Sequence, residues 1–275
     1  MKKTVSNKTA SRIAVIGAGK MATAITVSLV SKGVPASSIL AYDVSAAAAK
    51  KFTDATGCKT AATLAEALKD ASTVLLAVKP QVAPVALKEA GVALRGKLLI
   101  SIVAGLKLES LAALASTNRI VRVMPNTPAL VQQGMTCFAM SPKATAADRD
   151  CAQDILSSFG LVREVPESLL DAVTGLSGSG PAFVMEFILG LAEGGVYCGL
   201  PRDLAVESAI QTVLGTAEMC KRDPQAISAL RNAVITPNGT TARGIHVLDT
   251  AGFRGIVENC VIAAAERSAE LGHKK

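Results

Sequence analysis

From residue 12 to about residue 165, short apolar runs alternate with longer stretches in which apolar residues recur three or four positions apart. The runs predict strands near 12–16, 38–42, 73–77, 98–102, 119–123, 135–139 and 161–165. The stretches between them predict helices near 20–31, 45–55, 63–69, 81–90, 107–115 and 145–159. Strands that are apolar on both faces and separated by helices imply a mostly parallel sheet covered on both sides. After about Pro166 the strand signal stops. Pro181, Pro201 and Pro224 each stand where a helix would open, Gly239-Thr240-Thr241 opens another, and Gly252 precedes a last one near 253–271. Several of these helices are apolar around much of their circumference, as at Phe183, Val184, Phe187, Ile188 and Leu191. A small all-helical domain of that kind buries one face against another chain, so residues 167–275 are expected to dimerise.

The segment Ile13-Ala14-Val15-Ile16-Gly17-Ala18-Gly19-Lys20-Met21-Ala22 adds chemistry to the first strand. It reads as a buried strand, a glycine turn and a helix start. Gly17 and Gly19 let backbone approach a ligand closely, Ala22 lets the helix pack near the strand, and the free N–H groups of the first turn suit a pyrophosphate. Asp43 follows Ala22 by 21 residues, just after the apolar run Ser38–Tyr42, where such folds carry an acidic residue for a ribose. An ordinary tight turn is the plainer alternative. The fold class is therefore α/β: a Rossmann-like, doubly wound, mostly parallel sheet over residues 1–166, then an all-α domain over 167–275. Ligands of such sheets bind outside the carboxyl ends of the strands. The loops Gly17–Met21, Asp43–Ser45, Ala77-Val78-Lys79-Pro80 and Val103-Ala104-Gly105 are expected to line one crevice.

Composition narrows the partners. Half of the 275 residues are hydrophobic and only 3% aromatic, much of the rest of the apolar content being alanine suited to close helix packing. No uncharged apolar window is long enough to span a membrane, since Glu186 and Glu193 interrupt Pro181–Leu200. The formal charge of +7 is scattered without basic runs or interleaved aromatics, which argues for small anionic ligands over nucleic acid. Six cysteines at 58, 137, 151, 198, 220 and 260 include no Cys-x-x-Cys pair, so neither a metal site nor a disulfide framework is expected, and the compartment is expected to be reducing and cytoplasmic. Residues 1–11 read as a frayed solvated tail, with a weak organelle-import role as the alternative.

Hydride reduction of a ketone calls for a general acid, because an alkoxide forms. The two histidines are poor candidates: His273 falls in the terminal tail and His246 within a helix. A protonated imine already carries its proton, so a chain with a dinucleotide turn and no evident acid is compatible with imine reduction. A second motif, Thr236-Pro237-Asn238-Gly239-Thr240-Thr241-Ala242, combines residues that tolerate left-handed backbone with hydroxyls at a helix start. It can form a nest of N–H groups for a carboxylate, or simply a turn with a threonine cap.

These motifs resemble pyrroline-5-carboxylate reductases over nearly the whole chain. The resemblance rests on Gly17-Ala18-Gly19-Lys20-Met21, Ala77-Val78-Lys79-Pro80, Arg122-Val123-Met124-Pro125-Asn126-Thr127-Pro128, Thr174-Gly175-Leu176-Ser177-Gly178-Ser179-Gly180-Pro181-Ala182, and the Thr236–Ala242 turn followed by Gly244-Ile245-His246-Val247-Leu248-Asp249. It implies reduction of the C=N bond of 1-pyrroline-5-carboxylate by NADPH or NADH to give L-proline, by a homodimer interlocked through its helical domain and often assembled into a decamer. It implies further that Asn238, Gly239, Thr240 and Thr241 hold the substrate, with the Thr241 hydroxyl catalytic toward ring nitrogen or carboxylate. Ser177, Gly178, Ser179, Gly180 and Pro181 would shape the same pocket, and Val103, Ala104, Gly105 and Ala77 to Pro80 would flank the nicotinamide and phosphates. Asn126 and Thr127 would support that wall or serve structure alone. The sequence departs from the family at Asn238-Gly239, where two glycines are usual, and at Ile235, where a small polar residue is usual. Asp43 repels a 2′-phosphate and favours NADH, whereas Ser45 and Lys59 could bind that phosphate if Asp43 points away. Rival readings are a β-hydroxyacid dehydrogenase-like enzyme, which needs a helical-domain lysine that residues 167–220 lack, and a non-catalytic dinucleotide-binding sensor.

Overall fold

The structure, a computed structural model, describes residues 12–273, so the tail expected at residues 1–11 lies outside it. Eight strands form one sheet: β1 (Ile13–Ile16), β2 (Ile39–Tyr42), β3 (Lys59–Thr60), β4 (Thr73–Leu76), β5 (Leu98–Ser101), β6 (Ile120–Met124), β7 (Gly134–Met140) and β8 (Gly160–Glu164). Their spatial order is β3-β2-β1-β4-β5-β6-β7-β8. Pairing is parallel from β3 through β6, antiparallel between β6 and β7 (Val121 opposite Met140), and parallel again between β7 and β8. Seven strands fall where the sequence pattern puts them. The two-residue edge strand β3 does not appear in that pattern, because two residues carry no period.

Alternation along β1 divides the core. Ile13 and Val15 enter one apolar cluster and Ala14 and Ile16 the other. The first cluster is closed by α1 (Lys20–Ser31), α2 (Ala46–Thr56) and α6 (Ala146–Leu156) through Ile25, Leu29, Phe52, Ile155 and Leu156. The second is closed by α3 (Leu64–Leu68), α4 (Ala83–Ala90) and α5 (Leu108–Leu114) through Leu64, Leu68, Leu87 and Leu111. Helices therefore cover both faces, and the chain reverses its direction of travel across the sheet between β1 and β4. Such a switch point opens a crevice at the carboxyl ends of those two strands.

Chain contacts cluster into two units that meet at Gly178/Ser179. The first unit runs to Gly178 and takes back the chain from Ala264; the second is Ser179–Ala263. The first unit thus includes α7 (Leu170–Val173), a π-helical turn over Thr174–Gly178, and the last part of α12 (Phe253–His273). His273, expected in a loose tail, is the final residue of α12. The second unit holds α8 (Gly180–Tyr197), α9 (Arg202–Arg222), α10 (Ile227–Ala233), α11 (Thr240–Thr250) and the start of α12. α8 and α9 pack closely: a Cβ added to Gly195 would stand 3.2 Å from the Ala205 Cβ. Yet Ala192 is the one buried residue of α8, while Val184, Met185, Phe187, Leu189 and Leu191 are all exposed. The helical run Glu167–Tyr197 contains an 18-residue window apolar enough, by length and composition, to cross a membrane. A helix apolar all round needs a cover, whether lipid or protein.

Candidate active site

The glycine turn is built as its residue types require. Gly17 has φ +95° and donates its N–H to the Tyr42 carbonyl at 2.8 Å. A Cβ there would stand 2.7 Å from the Ala77 carbonyl oxygen, so no other residue fits. Gly19 precedes α1 with ordinary angles and nothing within 4 Å of an added Cβ: it faces open space. The first intrahelical bond runs from Thr23 N–H to the Gly19 carbonyl, leaving the amides before it for a ligand. Beside this turn lies a cavity of about 270 Å³ lined by Gly17, Gly19, Asp43, Ala77, Val78 and Lys79. Val44, Val82 and Val85, all unusually exposed for valine, form its apolar lips, with Leu64 and Glu89 also contributing. This shape and chemistry fit a dinucleotide: a glycine cradle for pyrophosphate, a carboxylate for a ribose diol, and an apolar slot for a flat base. Val82, Val85 and Glu89 were not anticipated; the signal was valine on the outward side of an amphipathic helix.

Asp43 is fixed in this crevice. Its Oδ2 accepts the Ala18 N–H at 2.7 Å and its Oδ1 accepts the Ser45 N–H at 2.8 Å. The Ser45 hydroxyl accepts the Ala48 N–H and so caps α2. Lys20 and Met21 open α1 as expected, and Pro80 follows the cavity wall without lining it. Two of the expected groups do not line this cavity. Lys59 pairs with Leu40, short of the carboxyl end of β2, and lines a separate cavity with Arg12, Glu66 and Asp70; strand register, invisible in sequence, sends it to the amino-terminal side. Val103 is buried in the core, and Gly105, with φ +76°, lies against the Leu271–Gly272 backbone of α12, so Val103-Ala104-Gly105 does not line the crevice cavity.

Further along the sheet, Asn126 is fully engaged. Its Nδ2 donates to the Ser177 carbonyl at 3.0 Å and its Oδ1 accepts the Met135 N–H at 2.9 Å, tying the end of β6 to the π-helical turn. The Ser177 hydroxyl donates to the Val173 carbonyl, and a Cβ on Gly178 would stand 2.5 Å from the Met124 Cε. One-turn π-helices often mark functional positions. Arg122, quoted above only as part of a motif and given no role there, lies buried within β6. It pairs with Glu167 at 3.0 Å and approaches Asp171 at 3.9 Å. Glu167 also accepts the Leu108 N–H, and Asp171 accepts the Ser268 hydroxyl at 2.7 Å. A charged residue inside the apolar run Ile120–Met124 was the available signal, since buried charges demand partners.

In the second unit, Asn238 has φ +57°, the left-handed conformation expected. Gly239 does not share it: its φ is −79° and ψ 168°. It is required for space, because an added Cβ would collide with the Thr236 Oγ1. Gly239 offers no side chain to cap α11, and the first intrahelical bond is Arg243 N–H to the Gly239 carbonyl. The amides of Thr240, Thr241 and Ala242 are therefore available to an anion, with the half-buried Thr241 beside them. Pro181 stands in the first turn of α8, which starts without a side-chain cap at Ser179. His246 is exposed. A concavity in this unit, bounded by Arg231, Asp249 and Gly252 to Gly255, lies at the other end of α11. Among the described residues no cluster suited to a metal occurs.

A doubly wound sheet with this turn and crevice, followed by apolar helices, defines a nicotinamide-dinucleotide-dependent oxidoreductase. Residues 12–105 match the family described as "NADP oxidoreductase coenzyme F420-dependent", and residues 167–271 match "Pyrroline-5-carboxylate reductase dimerisation". Pyrroline-5-carboxylate reductase of Pisum sativum is 40% identical over 257 residues, covering 93% of this chain and 94% of that protein. Among solved structures, a pyrroline-5-carboxylate reductase from Coxiella burnetii has a TM-score of 0.89 at 31% identity, over 96% of this chain and 99% of its own. Plasmodium falciparum pyrroline carboxylate reductase with NADP bound has a TM-score of 0.87 at 32% identity, over 96% and 98%. This chain belongs to the pyrroline-5-carboxylate reductase family. It is a nicotinamide-dependent enzyme that reduces the C=N bond of 1-pyrroline-5-carboxylate, and the dehydrogenase and sensor alternatives are not favoured.

Proposed function

We propose how the residues divide this work. The dinucleotide lies in the crevice between β1 and β4, its pyrophosphate against Gly17 to Met21 and its adenosine end between Asp43 and the valines of α4. When bound it supplies hydride. The imine substrate enters as an iminium, so a C–H bond forms at carbon, the π electrons of C=N pass to nitrogen, and a neutral secondary amine results. No side-chain acid is needed at that step, which suits a chain whose histidines lie elsewhere. The substrate carboxylate takes the uncapped amides at Thr240 to Ala242, and the Thr241 hydroxyl donates to that carboxylate or to the ring nitrogen. Ser177 to Pro181 shapes the pocket around the ring.

The observation that carries this reading is a helix start with no side-chain cap, set behind a left-handed asparagine. Its amides stabilise an anion without burying an arginine. The apolar circumference of α8 supports a homodimer through the helical domain, and the family resemblance extends this to a decamer of five dimers. Burial pushes the thiols of Cys58, Cys137 and Cys151 above their ordinary range, which keeps them protonated and inert; all six cysteines are free, which suits a reducing, cytoplasmic setting. The test is Thr241→Ala. It lowers kcat/KM for the imine by about 100-fold, in the range of other single transition-state donors, and leaves dinucleotide affinity unchanged. Unaltered imine kinetics remove Thr241 from the site.

A further inference from the structure

We infer that Asp43 makes this dinucleotide site selective for NADH over NADPH. The inference rests on the cofactor reading above and adds to it which coenzyme the crevice admits.

The side chain cannot be treated as free to swing. Both oxygens are held by backbone amides, Oδ2 by Ala18 and Oδ1 by Ser45, at 2.7 and 2.8 Å. Ala18 belongs to the glycine turn itself, so the carboxylate is tied to the element that receives the pyrophosphate. A carboxylate has roughly four acceptor positions, and these two bonds leave about two for a ribose diol. The 2′- and 3′-hydroxyls of NADH are donors and match that vacancy. A 2′-phosphate is mostly doubly ionised at neutral pH and meets the same oxygens as like charge.

The surroundings do not compensate. The charged residues lining the cavity are Asp43, Glu89 and Lys79, two anions against one cation. Lys79, the one cation of this lining, follows β4 beside the glycine turn. The cation that could have rescued a 2′-phosphate, Lys59, is at the amino-terminal side of the sheet with Arg12, Glu66 and Asp70. The Ser45 hydroxyl, the other candidate, accepts the Ala48 N–H at 3.3 Å and has only a neutral O–H to offer a phosphate, with no charge to offset Asp43. Removing the 2′-phosphate from the ligand therefore removes a repulsion and restores the hydrogen bond of the 2′-hydroxyl. Charge-assisted hydrogen bonds of this kind correspond to about a 10- to 100-fold difference in affinity.

The experiment measures Kd for NADH and for NADPH by titration of the full-length protein, together with kcat/KM for each coenzyme at saturating 1-pyrroline-5-carboxylate. It is repeated on Asp43→Ser and on Asp43→Asn, which keeps one acceptor oxygen but loses the charge. The expected wild-type result is NADH favoured by about 10-fold or more in both measures, with the preference lost or reversed in both variants. A second readout separates charge from shape: the NADPH penalty of the wild type shrinks as ionic strength rises, and that of Asp43→Asn does not. Equal or tighter binding of NADPH by the wild type overturns the inference, as does an unchanged ratio in Asp43→Asn. If Asp43→Ser fails to fold, the wild-type ratio and Asp43→Asn still decide. Tight binding of NADPH alone with active imine reduction leaves the enzyme's activity standing while refuting the selectivity. Failure to bind either coenzyme overturns the cofactor reading beneath it.

Discussion

Gly17 and Gly19 are two residues apart in one turn, yet the structure gives them different duties, and alanine at each position separates the two. At Gly17 the substitution forces an L-residue to φ +95° and places its Cβ 2.7 Å from the Ala77 carbonyl oxygen and 2.9 Å from the carbonyl carbon. The left-handed conformation costs about 1–2 kcal/mol. Overlap with a backbone group that holds its own sheet hydrogen bond, Ala77 N–H to Ile16 at 2.8 Å, adds about 1–3 kcal/mol. Gly17→Ala is thus expected to lose about 2–5 kcal/mol, which lowers Tm by roughly 4–20 °C for a domain of this size. Gly19 has ordinary angles and open space around its added Cβ. Gly19→Ala costs only about 0.5–1 kcal/mol as a poorer helix cap, but its methyl occupies the approach to the free amides of α1 and raises the dinucleotide Kd by about 10-fold or more. Thermal unfolding at one fixed protomer concentration, followed by coenzyme titration, checks both. Equal losses of Tm in the two variants, or normal coenzyme binding by Gly19→Ala, would refute the division of roles.

Two further outcomes follow from the charged groups of the first unit. Arg122→Met strands the half-buried carboxylates of Glu167 and Asp171, and chemical denaturation is expected to show a loss of about 3 kcal/mol; a loss near zero shows the network to be solvated in practice. Asp148 is buried; burial alone would raise its pKa, but hydrogen bonds from Arg119 and Thr145 hold the carboxyl below its ordinary range. A depressed folded-state pKa stabilises the protein above the unfolded value of about 3.9, and that contribution fades as pH falls through the folded value. Asp148→Asn should therefore flatten the acid limb of the stability curve below about pH 4, and an unchanged acid limb contradicts this.

The sheet was legible because its strands are apolar runs bounded by turn residues, and period alone distinguishes them from the helices between. The glycine turn was legible because its residue types allow few backbone paths; the left-handed Asn238 was legible for the same reason. What remained hidden depends on register and long-range closure. Lys59 looks like a phosphate ligand until β3 is paired with β2, and that pairing places it beside Leu40. Gly105 looks like part of a crevice loop until the end of α12 returns to lie against it. The Arg122–Glu167 pair joins residues 45 positions apart and the Ser268–Asp171 bond residues 97 apart, distances that no local pattern reports. Gly239 was read for its freedom of angle, whereas the structure uses its lack of bulk against Thr236.

The central claim is that this chain couples a nicotinamide coenzyme to reduction of a cyclic imine. The direct measurement adds 1-pyrroline-5-carboxylate to the purified protein with NADH or NADPH, following nicotinamide absorbance and quantifying proline in the same samples. The account requires proline to appear mole for mole with the coenzyme oxidised. Persistent absorbance with both coenzymes, or oxidation that yields no proline, contradicts it.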